Sequence, residues 1–295
     1  MKKTIDYMAD IENWRMYGMH IDNKHFLFSQ SIFEVPDELS QQLREQIREE
    51  GYFQLPPQNF NLPLEKMAEV ISDLHANNIP AVFAFIYDEY WVLYLRLHKM
   101  IQSILGEDYI RRPNFFAWYI DPKNNAAGFS PHREYPDDNL RLDGLPNELT
   151  VWIPLTNSTP LNGCISVLPA NLDSTYNTED RGTYKFKLQD IRALPSDAGG
   201  VLAWNFSLLH WGGQSCKRAE NPRISVSLEF QSKESASIKS EISDISNPIL
   251  TPSFNNRLRH ICHQIFTFKD SINVTEEELL FYKLLSEKAR DVLSK

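Results

Sequence analysis

Along the first hundred residues, apolar positions recur at helical spacing. Leu39, Leu43 and Ile47 fall every four residues and put one apolar stripe on a segment opened by Pro36-Asp37 and closed by Gly51, which predicts a helix over 37–50. Pro63 leads a second, over 63–77, with Leu64, Met67, Ala68, Ile71 and Leu74 on one side and Asn77-Asn78 at its end. Residues 81–105 are apolar and aromatic up to Gly106. They read as one long buried helix, with Ala81–Ile86 extended as the alternative, and the aromatic run from Phe83 to Tyr94 reads as core. Beyond 108 the pattern changes to alternation. Strands are expected at Phe115–Ile120, Thr150–Leu155, Cys164–Leu168, Gly199–Trp204 and Arg223–Gln231, with turn chemistry at Asn162-Gly163. Helices are expected again at 253–267 and 275–293, after a Ser/Lys/Glu-rich linker at 233–249. The chain therefore divides into an N-terminal helical region (1–107), a β core (108–232) and a linker with C-terminal helices (233–295), within one structural domain. The fold class is mainly β with flanking helices, a double-stranded β-helix or cupin-like jelly roll.

The candidate chemistry sits among the strands. His132 and Glu134, in Pro131-His132-Arg133-Glu134, are two residues apart. In a strand they project from one face, with Arg133 pointing away. A distant strand must bring His210 alongside. Two imidazoles and a carboxylate occupy one face of an octahedral iron(II) and leave the other open for a cosubstrate and O2. The last strand sharpens this picture. Arg223, Ser225, Ser227 and Glu229 share one face, and Ile224, Val226, Leu228 and Phe230 share the other. The apolar face is expected against the helices, which turns Arg223 and Ser225 toward the barrel interior. A buried arginine needs an anion. A dicarboxylate such as 2-oxoglutarate is one, and an internal salt bridge to Glu229 is the other. Arg218 is the rival anchor, in a segment that reads as an exposed turn.

Composition narrows the function classes. The 295 residues are 42% hydrophobic and 12% aromatic, enough for a sizeable core, and the net charge of −9 argues against a nucleic-acid partner. Three widely spaced cysteines, Cys164, Cys216 and Cys262, argue against a disulfide framework and suit the cytoplasm. Asp6, Asp10 and Glu12 interrupt the stretch after Lys2-Lys3 that a signal peptide would need, and no apolar run is long enough for a transmembrane segment. Residues 123–130 are expected over the metal mouth. The polar loop 136–147 is a candidate substrate lid, with Arg141 and Arg133 as candidate contacts to an anionic substrate. His20, His25 and the His260, Cys262, His263 group read as packing or surface residues.

Four segments carry a resemblance. Phe116-Ala117-Trp118-Tyr119-Ile120-Asp121-Pro122 leads through Gly128-Phe129-Ser130 into Pro131-His132-Arg133-Glu134. Leu149-Thr150-Val151-Trp152-Ile153-Pro154-Leu155-Thr156 follows. Then come Thr159-Pro160-Leu161-Asn162-Gly163-Cys164 and Val167-Leu168-Pro169. Last is Gly199-Gly200-Val201-Leu202-Ala203-Trp204, continuing through His210 to Pro222-Arg223-Ile224-Ser225. In kind and order these resemble the phytanoyl-CoA dioxygenase family of iron(II)/2-oxoglutarate oxygenases. The resemblance implies His132, Glu134 and His210 as metal ligands, Arg223 as the 2-oxoglutarate anchor with Ser225 as helper, and O2 as oxidant. It implies oxidative decarboxylation to succinate coupled to hydroxylation of an unactivated C–H bond. No basic cluster suited to coenzyme A is evident, so the expected substrate is a small or medium metabolite; its identity and the oligomeric state stay open. Two departures stand out. Glu134 replaces the family's usual Asp, and its extra methylene moves the carboxylate by about 1.5 Å. The chain also reads Pro169-Ala170-Asn171-Leu172-Asp173 where the family often has Gly-Ser-His. Two other readings remain at this point: a metal enzyme of the same fold without 2-oxoglutarate, and a binding protein with a weakened iron site.

Overall fold

The computed structural model describes residues 4–134, 140–233, 235, 246–269 and 274–293. Short side-chain-capped helices open the chain: α1 (Ile5–Ala9) starts on Thr4 and α2 (Lys24–Phe28) on Asn23. The two amphipathic patterns form α3 (Asp37–Glu50) and α4 (Leu64–Ala76), each burying its apolar stripe. The single long helix expected over 81–105 is broken into three pieces. A 3-10 helix runs over Ala81–Ile86, and α5 (Asp88–Arg96) and α6 (His98–Leu105) follow. Asp88 explains the first break. Its buried carboxylate accepts from the backbone N–H groups of Asp22 and Asn23 (3.2 and 2.9 Å) and pairs with the buried Arg257 guanidinium. Its own N–H donates to His20 O (2.9 Å). Those partners turn Tyr87 into extended backbone and start a new helix, an outcome that local propensity does not contain.

The strands are β1 (Tyr52–Leu55), β2 (Ile110–Ile120), β3 (Glu148–Pro154), β4 (Ile165–Leu168), β5 (Arg192–Leu194), β6 (Val201–Asn205), β7 (Leu209–Gly212) and β8 (Arg223–Gln231). They form a five-stranded sheet in the order β1-β6-β3-β8-β2 and a three-stranded sheet in the order β5-β4-β7, with antiparallel pairing throughout. The two sheets face each other in the jelly-roll manner without closing into a barrel. Strand β2 begins earlier than its alternation suggests. Its register slips between Arg111 and Phe115, around Pro113, which has no N–H for the ladder. Strands β1, β5 and β7 are too short to show a period.

Alternation sorts the large sheet into two faces. Leu149, Val151 and Ile153 of β3, Val201 and Ala203 of β6, and Ile224, Val226, Leu228 and Phe230 of β8 join the main core, as the pattern of the last strand predicts. That core includes α3 to α6 and the C-terminal helices α7 (Phe254–Thr267) and α8 (Glu276–Leu293). The aromatic run belongs to it: Phe83, Phe85, Tyr87, Tyr90 and Trp91 are buried there. Trp152, Leu202 and Trp204 point the other way, into a smaller cluster with Ile165 and Val167 of the small sheet. The candidate site opens between the sheets beside this cluster.

Candidate metal centre

The backbone carrying His132 and Glu134 is not a regular strand, which corrects the sequence expectation. Pro131 offers no N–H, and a ladder does not continue past this point among the described residues. Three bonds to the segment from the β6–β7 turn to β7 hold it extended instead. His132 and His210 exchange N–H···O bonds of 3.1 and 3.0 Å, and Glu134 N–H donates to Phe206 O at 3.1 Å. The two-residue alternation survives, so the side chains of His132 and Glu134 converge while Arg133 turns away. Arg133 meets Asp173, with which it pairs, and Thr175 Oγ1 (3.0 Å); in this position it is an internal ion pair.

The donor atoms of His132, Glu134 and His210 all lie within 4.8 Å of one another, and among the described residues they form the group able to hold a metal ion. Glu134 Oε1 is 3.4 Å from His210 Nε2 and 3.8 Å from His132 Nε2. Both imidazoles are set from behind. His132 Nδ1 lies 2.7 Å from Ser130 O, and His210 Nδ1 lies 3.1 Å from Leu208 O. A carbonyl only accepts, so each Nδ1 carries the proton and each Nε2 presents a lone pair toward Glu134. Burial and the neighbouring His210 push the His132 pKa below 6.5, against the opposing pull of Glu134, so the ring is neutral at pH 7. For Glu134, burial acts upward. Against it act His210, by hydrogen bond and charge, and His132, by charge, when their rings are protonated, and the charge of Arg112; together they hold the carboxyl below its ordinary value.

These residues line a cavity of about 280 Å³ that also contains Arg223. Arg223 is 1% exposed, and burial pulls its pKa down to about 10. No ion pair to it is found among the described residues, and its Nε has no hydrogen-bond partner. The internal alternative is taken by another arginine: Glu229 pairs with Arg112 (3.3 Å) and accepts from Asn114 (2.8 Å). Burial, then the charge of Glu134, drive Glu229 up to about 8 against Arg112 and Asn114. Arg218 is exposed on a turn and lines a different cleft. Ser225 shares the inward face of β8, fully buried with its Oγ unpartnered, but it is not among the cavity-lining residues.

Gly128 and Gly212 let the chain close over this arginine. A Cβ on Gly128 would lie 2.8 Å from the Gly212 Cα and 3.1 Å from Arg223 Nη2, so a side chain there would push on both. Three cavity groups were not singled out from the sequence. Thr150 Oγ1, Trp152 Nε1 and Trp204 Nε1 are buried without partners and border the same space. The alternation of Leu149–Pro154 was the available signal, since it puts Thr150 and Trp152 opposite three aliphatic residues. Buried polar atoms of this kind are normally satisfied, so a cluster of them around one cavity offers hydrogen bonds to whatever fills it.

Other candidates fall elsewhere. Gly128, Phe129 and Ser130 do border the cavity. In the proposed lid, 136–139 lie outside the described residues, and the remainder is anchored away from the cavity. Arg141 donates to Ile104 O and Leu105 O (3.0 and 3.1 Å), capping α6, so it does not serve as a substrate contact. His20 bonds Glu89 and stacks on Phe26, His25 is exposed, and His260 is buried while His263 is exposed. Most of the linker, 234 and 236–245, lies outside the described residues. No described helix is long and apolar enough to cross a membrane.

The fold has solved relatives. SnoN, a non-haem α-ketoglutarate-dependent epimerase from nogalamycin biosynthesis, superposes with a TM-score of 0.50 at 17% identity, covering 67% of this chain and 82% of SnoN. ThoJ, a non-haem monooxygenase solved as a nickel complex, reaches a TM-score of 0.55 at 13% identity over 78% of this chain and 98% of ThoJ. AviO1 from Streptomyces viridochromogenes Tue57 gives 0.50 at 14% identity, over 68% and 98%. No curated protein sequence matches the chain significantly. The profile of the phytanoyl-CoA dioxygenase (PhyH) family matches residues 33–219, from just before α3 to the turn preceding β8. Over that stretch, well over half of its length, the sequence and the sheets it forms agree: the chain belongs to the phytanoyl-CoA dioxygenase family.

Proposed function

We propose that this protein is an iron(II)- and 2-oxoglutarate-dependent dioxygenase that hydroxylates an unactivated C–H bond of a small or medium metabolite. His132, Glu134 and His210 are the iron ligands, and Arg223 receives the far carboxylate of 2-oxoglutarate, with Ser225 behind it on the same strand face. The observation that carries this reading is a buried guanidinium without a carboxylate partner among the described residues, in the cavity that holds a His-Glu-His cluster. The donor set fits iron(II), since two imidazoles and one carboxylate leave half of an octahedron open. The unpartnered Arg223 Nε and the close Gly128–Gly212 approach fit an anion held there in a forked contact.

Iron and 2-oxoglutarate, when bound, supply the oxidising power through consumption of O2 and decarboxylation to succinate. The chain's own residues do the rest. The Ser130 and Leu208 carbonyls keep the proton on each Nδ1, so that both Nε2 atoms face the metal. Glu134 fills the third protein position and leaves no protein-side site for a halide, which favours hydroxylation over halogenation. Phe116, Trp118, Phe129 and Trp204 wall the cavity with aromatic rings.

Anaerobic titration with iron(II), with and without 2-oxoglutarate, tests the reading. A visible charge-transfer band that needs both is expected. Iron binding without that band would favour a metal enzyme that does not use 2-oxoglutarate, and absent iron binding would favour a binding protein. Product mass then separates hydroxylation, which adds one oxygen, from epimerisation, the activity named for SnoN.

A further inference from the structure

A second cavity, of about 490 Å³, adjoins the metal cavity along β2. The two share Phe116, Trp118 and Phe268. The connecting wall is aromatic. Phe129 lies 5.6 Å from the His132 ring and 4.6 Å from Trp118, and Trp118 and Phe268 lie 5.8 and 4.8 Å from Phe116. Phe116, Trp118 and Phe268 are only half-buried, so their faces are available to a ligand passing between the cavities. The far cavity is mostly carbon, with Ile79, Val82, Phe115 and Ile265 on its wall. Gln264 on α7 also lines it. This residue is 4% exposed, and among the described residues its Nε2 has no hydrogen-bond partner. An amide N–H held out of water without an acceptor is a standing cost that a bound oxygen would remove. Among the described residues no lysine or arginine lines this cavity; its basic side chain is His75, stacked on Tyr119 (4.1 Å), and Glu278 is acidic. A carboxylate or phosphate would meet no permanent counter-charge among these residues and one like charge.

We propose that the second cavity holds the distal part of the substrate, and that this substrate is an elongated, uncharged, largely apolar molecule. A neutral oxygen on its distal part, as in an ester, ketone or amide, accepts from Gln264 Nε2. The remainder lies along Phe116, Trp118 and Phe268 and brings the reacting carbon to the metal cavity. This rests on reading the first cavity as the oxygenase site. It adds the substrate class and gives Gln264 a role in specificity.

The test uses metal-free protein without 2-oxoglutarate, so it is independent of turnover. Methyl decanoate, decanoate and decane compete for a bound neutral fluorophore, N-phenylnaphthylamine. The wild type is expected to bind the ester more tightly than the anion or the alkane. Gln264→Leu is expected to weaken ester binding roughly threefold to tenfold, the range of one net hydrogen bond, while leaving decane unchanged. Ala81→Trp fills the cavity and weakens both; Ala127→Trp, at an exposed loop position on the same lining, replaces it if the first variant does not fold. No fluorophore binding by the wild type, a preference for the decanoate anion, or an undiminished ester preference in Gln264→Leu would each overturn the proposal. Ester binding as expected in a protein that shows no iron-and-2-oxoglutarate band would leave this cavity assigned and remove the oxygenase reading instead.

Discussion

The two faces of the five-stranded sheet are built from alternate residues of the same strands, yet they differ in kind. The outer face presents Leu149, Val151, Ile153, Val201, Ala203, Ile224, Val226, Leu228 and Phe230 to the helices and forms a continuous apolar core. The inner face carries Thr150, Trp152, Trp204, Arg223 and Ser225, each with a buried polar atom that has no partner among the described residues. One residue of strand therefore separates a surface that stabilises from a surface that carries unpartnered polar groups. Burial of the outer side chains supplies free energy in proportion to their area. The unpartnered groups of the inner face subtract from stability until something binds. The sheet can carry that cost because its other face is so thoroughly buried.

Substitutions on the two faces should separate function from stability. The largest effect is expected at the metal cluster: His132→Ala and His210→Ala should each abolish iron-dependent succinate formation while thermal unfolding changes little. Normal succinate production by either variant would remove that histidine from the ligand set. On the outer face, Phe230→Ala should cost about 3–5 kcal/mol of stability, the usual penalty for emptying an aromatic core site. Denaturant unfolding measures it, and iron affinity of the folded fraction should not change. Back on the inner face, Arg223→Ala should weaken 2-oxoglutarate binding by about 2–5 kcal/mol, roughly 30-fold to several thousand-fold. Arg218→Ala should have no such effect, and the reverse result in calorimetric titration would make Arg218 the anchor.

The smallest effect concerns Glu229, whose pKa rises from 4.5 to about 8 on folding. Between those values the folded protein holds a proton that the unfolded chain has released, so stability falls as pH rises through this window. In metal-free protein, Glu229→Gln should flatten that decline. Equal pH slopes for the variant and the wild type in urea unfolding between pH 5 and 8 would show that Arg112 keeps this carboxylate charged.

Much of this contrast was legible in the residues themselves. The last strand shows Arg223, Ser225, Ser227 and Glu229 alternating with four apolar residues, and the structure buries each set where the period assigns it. Strand β3 carries the same signal for Thr150 and Trp152, which alternate with Leu149, Val151 and Ile153. Other features had no local trace. The break at Tyr87 depends on Asp22, Asn23 and Arg257, which are remote in sequence from Asp88. Arg141 looked free for a substrate because its acceptors, the last carbonyls of α6, are brought near only by folding.

What the sequence determined by itself is the set of periods, the end signals of the helices and the chemical types placed at 132, 134, 210 and 223. These follow from geometry within a single element, where a step of two or of 3.6 residues decides which side chains share a face. Tertiary structure alone decided which groups would meet. It joined His132 to His210 through two backbone bonds, gave Glu229 to Arg112 and left Arg223 without a carboxylate among the described residues. It also set a second cavity beside the first along β2. Hydrogen bonds and ion pairs act only over a few ångströms, so their partners are chosen by how the sheets and helices dock, and sequence distance carries no record of that choice.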